Sequence, residues 1–281
     1  MHNRPQTGGT MPTISVNGVE LFYTEQGKGE RAIVFAHGLL MDNSMWDFVT
    51  PHFAETCRVI CFDFRGQGRS QDPGQGYAID TLVEDTAALI KALSDKPVDY
   101  VGLSMGGMVG MPLAARYPHL LRSLVLLDTS AQAEPPHNLR KYAAMTWIMR
   151  AFGVKPLVSR TLPLMFGKTT VNDPAKRELV KHWRRKLSVL KKTILGPIAG
   201  VTQRRDITQE LPKITCPTLI ITGEEDRTTP VSCAHHMHAY IAHSELQIIP
   251  RCGHSSALEE PEQVVDAMKK FYLKFNQAQD V

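Results

Sequence analysis

The sequence has no apolar run near the roughly 18 residues that a membrane-spanning helix needs. The first twelve residues, MHNRPQTGGTMP, also lack the apolar core of a secretory signal, so residues 1–12 are predicted to form a disordered leader. The five cysteines include no CxxC pair and are odd in number, which argues against a disulfide framework. With 43% hydrophobic and 21% charged residues, the composition is typical of a soluble globular protein, and we expect a cytoplasmic location without membrane contact.

Signatures of phosphate and metal binding are also missing. The glycine-rich DFRGQGRS (residues 63–70) lacks the Gly-Lys-Ser/Thr ending of a phosphate loop. Asp63 and Arg65 are therefore predicted to form a structural turn with internal ion pairing. The HHMH run (residues 235–238) does not have the ligand spacing of a zinc site, and we expect a solvated helix surface there. The sequence predicts no metal site.

Positive charge is concentrated in one segment of the chain. Residues 174–205 contain ten Lys or Arg residues and a single acidic residue, whereas the remaining chain is mildly acidic. Apolar residues from Leu179 to Ile194 fall on one helical stripe, which favours a solvated basic face. The alternative is that Arg184 or Arg185 steers anionic substrates. Nucleic-acid binding is not predicted, because the segment has no interleaved aromatic residues and no recognisable binding motif.

Short apolar runs alternate with helical patterns along most of the chain. Asn17-Gly18 between two alternating runs predicts a hairpin, and six further apolar runs are typical of strands covered on both faces. Helices are predicted with Asp80 as the N-cap, after Ser104, and from Pro261 to Phe275. This alternation predicts an α/β fold with a mostly parallel eight-stranded sheet flanked by helices.

The alternation is interrupted between Ala131 and Leu211. That stretch has several helical patterns and no strand-like run, and it lies between two predicted core strands. We interpret residues 131–211 as a helical cap inserted over the carboxyl ends of the strands. Residues 13–130 and 212–281 then form the core.

The stretch VGLSMGG (residues 101–107) places Ser104 between glycines at a strand-to-helix junction. Its G-x-S-x-G pattern predicts a strained turn in which neighbouring side chains must be small. The turn exposes the serine hydroxyl at a helix N-terminus, where free amides favour negative charge. Ser104 is therefore predicted to be a nucleophile, and a nucleophilic serine requires a base and an orienting acid.

Two residues after later strands fit these roles. His254 follows the last strand and is predicted to be the general base, and Asp226 follows the preceding strand and is predicted to orient it. Asp128, at the end of another strand, is an alternative acid. The backbone amides of Leu39 and Met105 are predicted to form the oxyanion hole, because Met105 follows the nucleophile and Leu39 follows a His-Gly turn.

The segments HGLLMDNSMW, DFRGQGRS, GLSMGGMVG, GEEDRTTP and GHSSALEEPEQ together resemble the α/β-hydrolase family. The resemblance covers nearly the whole chain and is greatest for the 3-oxoadipate enol-lactonase and small carboxylesterase branch. It implies a fold that needs no cofactor. A serine nucleophile in place of aspartate argues against dehalogenase and epoxide-hydrolase members.

The predicted activity is hydrolysis of a small, largely apolar carboxylic ester or lactone through an acyl-enzyme. Carbon–carbon bond hydrolysis or cofactor-free perhydrolysis at the same site is one alternative, and a ligand receptor on the same fold is another. The substrate pocket is predicted to include large apolar side chains, which are Trp46, Met145, Trp147, Met165 and Trp183. The sequence gives no prediction of the oligomeric state.

Overall fold

The computed structural model describes residues 12–277, so the predicted leader, apart from Pro12, lies outside the described residues. Eight strands form one sheet in the order β1-β2-β4-β3-β5-β6-β7-β8. Their bounds are Thr13–Val16 (β1), Val19–Gln26 (β2), Ala32–Ala36 (β3), Arg58–Phe62 (β4), Val98–Leu103 (β5), Leu121–Leu127 (β6), Thr218–Gly223 (β7) and Ser244–Ile249 (β8). The pairs β1–β2 and β2–β4 are antiparallel and the other five are parallel. The predicted α/β fold is confirmed.

Local sequence explains how the sheet begins. Asn17 and Gly18 both have positive φ angles, 47° and 75°, which a two-residue hairpin of this kind requires. Val16 and Val19 are paired across this turn. The parallel strands β3, β5 and β7 are buried along their whole length, and β6 is buried except at Arg122, as continuous apolar runs predict.

Helices cover both faces of the sheet. Ile33 and Phe35 of β3 belong to one buried cluster, and the alternate residues Val34 and Ala36 belong to the other. The helices are Pro51–Ala54 (α1), Ile79–Leu93 (α2), Met105–Arg116 (α3), Pro136–Phe152 (α4), Val158–Met165 (α5), Lys168–Asn172 (α6), Arg177–Ser188 (α7), Leu195–Thr202 (α8), Val231–Tyr240 (α9), Ser256–Glu259 (α10) and Pro261–Gln277 (α11). Within residues 12–277, no helix combines the length and apolar character needed to cross a bilayer.

Two helix boundaries differ from the sequence prediction. Helix α2 begins at Ile79 with Ala78 at the N-cap, so Asp80 lies in the first turn, where its carboxylate pairs with Arg116 at 2.8 Å. Helix α7 ends at Ser188, before the predicted apolar stripe reaches Ile194. For α2, the distant partner of the Asp80 carboxylate outweighs the local capping preference.

Helices α4 to α8, called the cap below, connect β6 to β7. They lie within the predicted insertion, residues 131–211. Met149, Leu162 and Trp183 of the cap join the buried cluster that contains Ile33 and Phe35. The cap is therefore packed onto the core through apolar contacts, and it covers the edge where β5 ends at Leu103.

Candidate active site

Ser104 occupies a strained turn between β5 and α3. Its φ angle is 51°, a left-handed conformation that is rare for a residue other than glycine. The turn is held at both ends, since the Ser104 amide donates to Leu127 O at 2.8 Å and the Thr129 hydroxyl donates to Ser104 O at 2.7 Å. The surrounding strands thus fix the serine in a conformation that it would not adopt alone.

The glycines around Ser104 are required by close backbone approach. A Cβ on Gly106 would overlap the carbonyl oxygen of Ala36, and a Cβ on Gly102 would overlap the Gly106 backbone. A Cβ on Gly107 would overlap the side chain of Thr129. Because these three residues have no Cβ, α3 can start directly against β3 and β5. This close packing explains the three glycines of the VGLSMGG stretch.

The structure brings Ser104, His254 and Asp226 together, although they are far apart in sequence. His254 Nε2 lies 2.9 Å from Ser104 Oγ, and His254 Nδ1 lies 2.8 Å from Asp226 Oδ2. All three residues are buried. Burial opposes the charged imidazole, but the Asp226 carboxylate outweighs it, so the pKa of His254 is raised above 6.5.

The Asp226 carboxylate is held by four donors. The amides of Thr228 and Thr229 donate to Oδ1 at 2.8 and 2.9 Å, and the Thr229 hydroxyl donates to Oδ2 at 2.8 Å. Together with the His254 ring, these contacts fix the orientation of the carboxylate. Sequence analysis did not identify the two threonines.

Asp128, the alternative acid, has a different set of partners. Its Oδ1 accepts from the Gly223 amide and its Oδ2 from the Ser256 amide, both at 2.9 Å. Burial, together with the charge of Asp226, raises the pKa of the Asp128 carboxyl. Asp128 thus ties β6 to β7 and to the segment that follows His254, while Asp226 contacts the imidazole.

The predicted oxyanion donors lie beside the nucleophile. Leu39 lines the same cavity as Ser104, and neither the Leu39 nor the Met105 amide donates to another group among residues 12–277. Gln67, which sequence analysis missed, organises this region. Its Oε1 accepts from the Leu40 amide at 3.0 Å, and its Nε2 lies 3.5 Å from Met105 Sδ. The feature of the sequence that could have identified Gln67 is its position between Gly66 and Gly68.

Glu259 was also missed, and it fixes the loop that carries His254. Its Oε1 accepts from the amides of Gly253 and Ser255, both at 3.1 Å, and its Oε2 accepts from the Gly167 amide at 2.8 Å. Burial raises the pKa of the Glu259 carboxyl. The side chain therefore links both neighbours of His254 to the start of cap helix α6.

A cavity of about 140 Å³ opens onto Ser104 and His254 beneath the cap. Two of the five predicted pocket residues, Met145 and Met165, line it. The exposed surface of the cavity is mainly apolar. Its other lining residues come from the core and the cap, namely Leu39, Leu40, Met108, Met149, Leu164, Ile198 and Val201, together with Glu134, Tyr142, Thr146, Thr161, Thr202, Arg204, Thr228 and Thr229.

The three predicted tryptophan contacts are corrected by the structure. Trp46 is fully buried and packs 5.0 Å from the ring of Phe35, and Trp183 is buried in the same apolar cluster. Trp147 is 65% exposed, because it projects from the outer side of α4. None of them lines the cavity.

Several other sequence-predicted features have structural partners. Arg65 forms a buried ion pair with Asp85 of α2, outside the glycine-rich segment, so the predicted pairing within that segment is wrong for Arg65. Asp63 accepts from the backbone amides of Asn43 and Arg69, which fits the predicted structural turn. In α9, His236 bonds to Thr208 Oγ1 at 2.9 Å. In the basic segment, Arg184 Nη1 lies 3.2 Å from Ser159 Oγ, away from the cavity lining.

Comparison with known proteins agrees with the fold. Residues 33–267 match the Alpha/beta hydrolase family. The chain is 27% identical to 3-oxoadipate enol-lactonase 2 of Acinetobacter baylyi over 265 residues, which cover 94% of this chain and 97% of the relative.

Two solved structures have nearly the same fold. The enol-lactonase from Burkholderia xenovorans has a TM-score of 0.86 at 25% identity and covers 93% of this chain and 100% of its own. A thermophilic esterase from Thermogutta terrifontis has a TM-score of 0.85 at 27% identity and covers 94% of this chain and 97% of its own. The chain therefore belongs to the alpha/beta hydrolase family.

Proposed function

We propose that the protein hydrolyses small carboxylic esters or lactones through a Ser104-acyl intermediate. The observation that carries this proposal is the hydrogen-bonded chain Ser104–His254–Asp226, with distances of 2.9 and 2.8 Å, at the wall of the cavity. Such a chain lets the imidazole take the hydroxyl proton while Ser104 Oγ attacks the carbonyl carbon.

The reaction proceeds in two half-reactions. In the first, Ser104 Oγ bonds to the carbonyl carbon, the amides of Leu39 and Met105 donate to the oxyanion, and His254 returns the proton to the departing alkoxide. In the second, His254 takes a proton from water while the water oxygen attacks the acyl carbon, and the imidazolium then returns this proton to Ser104 Oγ as the bond between Oγ and the acyl carbon breaks. Asp226 stabilises the imidazolium in both steps and is not itself protonated.

Cavity size and lining support a small and largely apolar substrate. A cavity of about 140 Å³ is similar to an apolar cavity of ~150 Å³ that holds benzene. Nine of its nineteen lining residues are Leu, Ile, Val or Met, and its exposed surface is mainly apolar. The names of the relatives support an ester or lactone linkage as the scissile bond.

Turnover of a short p-nitrophenyl ester tests the mechanism. Replacing Ser104 with alanine removes the nucleophile, so we expect kcat/KM to fall by roughly 10⁴-fold or more without loss of the fold. A fluorophosphonate probe should label the wild-type protein and not S104A. Wild-type turnover by S104A would refute the mechanism, and faster turnover of a vinylogous diketone than of any ester would favour carbon–carbon bond hydrolysis.

A further inference from the structure

One part of the cavity wall is charged. Arg204 Nη1 lies 3.0 Å from Glu134 Oε2, and the two side chains are only 7% and 10% exposed. The second oxygen of Glu134 accepts from Asn138 Nδ2 at 2.8 Å. Arg204 also donates to the carbonyl groups of Gln132 and Val201. Both members of this buried pair line the cavity that holds Ser104.

Within the described cavity lining, Glu134 is the single carboxylate and Arg204 is the single Lys or Arg side chain. A buried ion pair adds little net stability compared with apolar side chains of the same volume, because both charges lose their hydration. Apolar packing already attaches the cap to the core. Fold stability alone therefore gives no reason for an ion pair in this wall, which points to recognition of a ligand.

The neighbouring side chains provide uncharged hydrogen-bonding groups. Tyr142 lies in the same wall, and burial followed by the charge of Glu134 raises the pKa of its phenol, so the hydroxyl is neutral at physiological pH. Thr146 and Thr202 also line the cavity. Glu134, Tyr142 and Arg204 are called the polar region below. With the neighbouring threonine hydroxyls, they interrupt a cavity surface that is otherwise mainly apolar.

We propose that this polar region binds a neutral hydrogen-bonding group of the substrate, such as a ketone or hydroxyl, and that Glu134 makes the site reject a carboxylate. This inference rests on the proposed esterase activity and specifies its substrate class. Arg204 is the cation that would bind a substrate carboxylate, but Glu134 already neutralises it. A second carboxylate in this buried space would be repelled by Glu134, whereas a neutral acceptor can share Arg204 or Tyr142.

Three p-nitrophenyl esters of equal length test the proposal, because their acyl ends have the same branched shape. The 5-oxohexanoate ends in a neutral acceptor, the 5-methylhexanoate ends in an apolar group, and the hemiglutarate ends in a carboxylate. For the wild-type protein we expect kcat/KM to be at least about tenfold higher for the 5-oxohexanoate than for the hemiglutarate.

The variant E134Q removes the repelling charge and keeps an acceptor oxygen. Asn138 can turn its amide to accept from the new glutamine, so the local hydrogen bonds are retained. We expect the ratio of kcat/KM for the hemiglutarate to kcat/KM for the 5-methylhexanoate to rise about tenfold. The variant Y142F should instead reduce the advantage of the 5-oxohexanoate over the 5-methylhexanoate, which gives an independent test if E134Q folds poorly.

The matched control is E210Q. Glu210 is also paired with arginines, Arg116 and Arg205, but it lies outside the lining of this cavity. E210Q changes the net charge equally and should leave the ratio of the three esters unchanged. An equal gain for the hemiglutarate in E134Q and E210Q would reduce the effect to overall charge and overturn the proposal, as would equal wild-type turnover of the neutral and anionic esters.

Failure of the proposed function gives a different result. If the wild-type protein turns over none of the three esters, the esterase mechanism fails while recognition can still be measured. Calorimetric binding of 5-oxohexanamide and glutaramate to the wild-type protein and E134Q then decides the proposal. Preference of the wild-type protein for the neutral amide, lost in E134Q, would support the proposal, and equal binding of the two amides would overturn it.

Discussion

At the scale of single residues, His254 is surrounded by carboxylates with different contacts. Asp226 bonds to the imidazole, whereas Asp128 acts on it only through its charge. Both charges raise the pKa of His254 against the opposing effect of burial. The active imidazole must be neutral to accept the serine proton, so this raised pKa sets the acidic limit of the reaction.

We predict that kcat/KM for an uncharged ester rises with pH along a limb whose midpoint lies above 6.5, the ordinary pKa of histidine. The variant D128N removes one of the negative charges that raise this pKa, so the midpoint should move to lower pH. D226N, in contrast, should lose most activity at every pH because it removes the orienting carboxylate.

Stopped-flow or steady-state rates between about pH 5 and 9 measure the limb on both sides of the ordinary histidine pKa. The ester must itself lack titratable groups, so that the midpoint belongs to the enzyme. A midpoint below 6.5 in the wild-type protein, or a shift to higher pH in D128N, would contradict this electrostatic account.

At the scale of single residues, some parts of the candidate site could be predicted from the sequence and others could not. Ser104, Asp226 and His254 were predicted because each follows a strand, and the carboxyl ends of parallel strands meet at one edge. The cavity wall was predicted less well. Met145 lines the cavity and Trp147 points to solvent, although they are two residues apart on α4. Two positions turn a helix by about 200°, so the direction of each side chain depends on how α4 packs.

At the scale of elements, the cap helix α8 rests on the core through two glycines. A Cβ on Gly200 would overlap the carbonyl oxygen of Tyr77, and a Cβ on Gly196 would overlap the Tyr77 ring. Ile198 and Val201, on the same helix, line the active-site cavity. The spacing between α8 and the Tyr77 loop therefore sets the position of one cavity wall.

We predict that G200A destabilises the protein although alanine is the better helix former. The steric overlap costs about 1–3 kcal/mol, which outweighs a gain of about 1 kcal/mol in helix propensity at most. Displacement of α8 should also raise KM for small esters more than it lowers kcat. Thermal melting and steady-state kinetics measure the two effects.

Q203A is a suitable control for G200A, since Gln203 is exposed immediately after the same helix ends. It should leave both the melting temperature and KM unchanged. A G200A protein as stable as wild type, with unchanged KM, would mean that α8 does not depend on this close contact.

Element boundaries were harder to predict than the elements themselves. The hairpin at Asn17-Gly18 and the helix after Ser104 follow from local backbone requirements, and both are present. The start of α2 does not, because Asp80 pairs with Arg116, 36 positions along the chain. A helix N-cap can be predicted from the local sequence only when no distant partner competes for the same carboxylate.

At the scale of the whole molecule, much of the basic segment is paired with acids of the core. Lys186 Nζ lies 2.7 Å from Asp42 Oδ2, Lys176 pairs with Glu260, and Arg205 Nε lies 3.4 Å from Asp80 Oδ2. These partly exposed pairs contribute about 0–1 kcal/mol each. The sequence indicated the positive charge and the alternating architecture, but it contained no signal for partners separated by up to 144 positions.

The three tryptophans differ sharply in exposure, even within the cap, which contains both Trp147 and Trp183. Trp46 and Trp183 are buried, whereas Trp147 is 65% exposed on α4, the helix whose Met145 and Met149 line the cavity. We predict that acrylamide quenches one accessible component of the intrinsic fluorescence and that W147F removes this component. Its persistence in W147F would show that a buried tryptophan becomes accessible in solution.

The exposed Trp147 is an intrinsic fluorescence probe on α4. Trp147 lies outside the cavity, so a bound substrate does not touch it, but any tilt of α4 alters the solvent around its indole. Emission recorded during a single turnover would therefore report any movement of α4 above Ser104, without an attached dye.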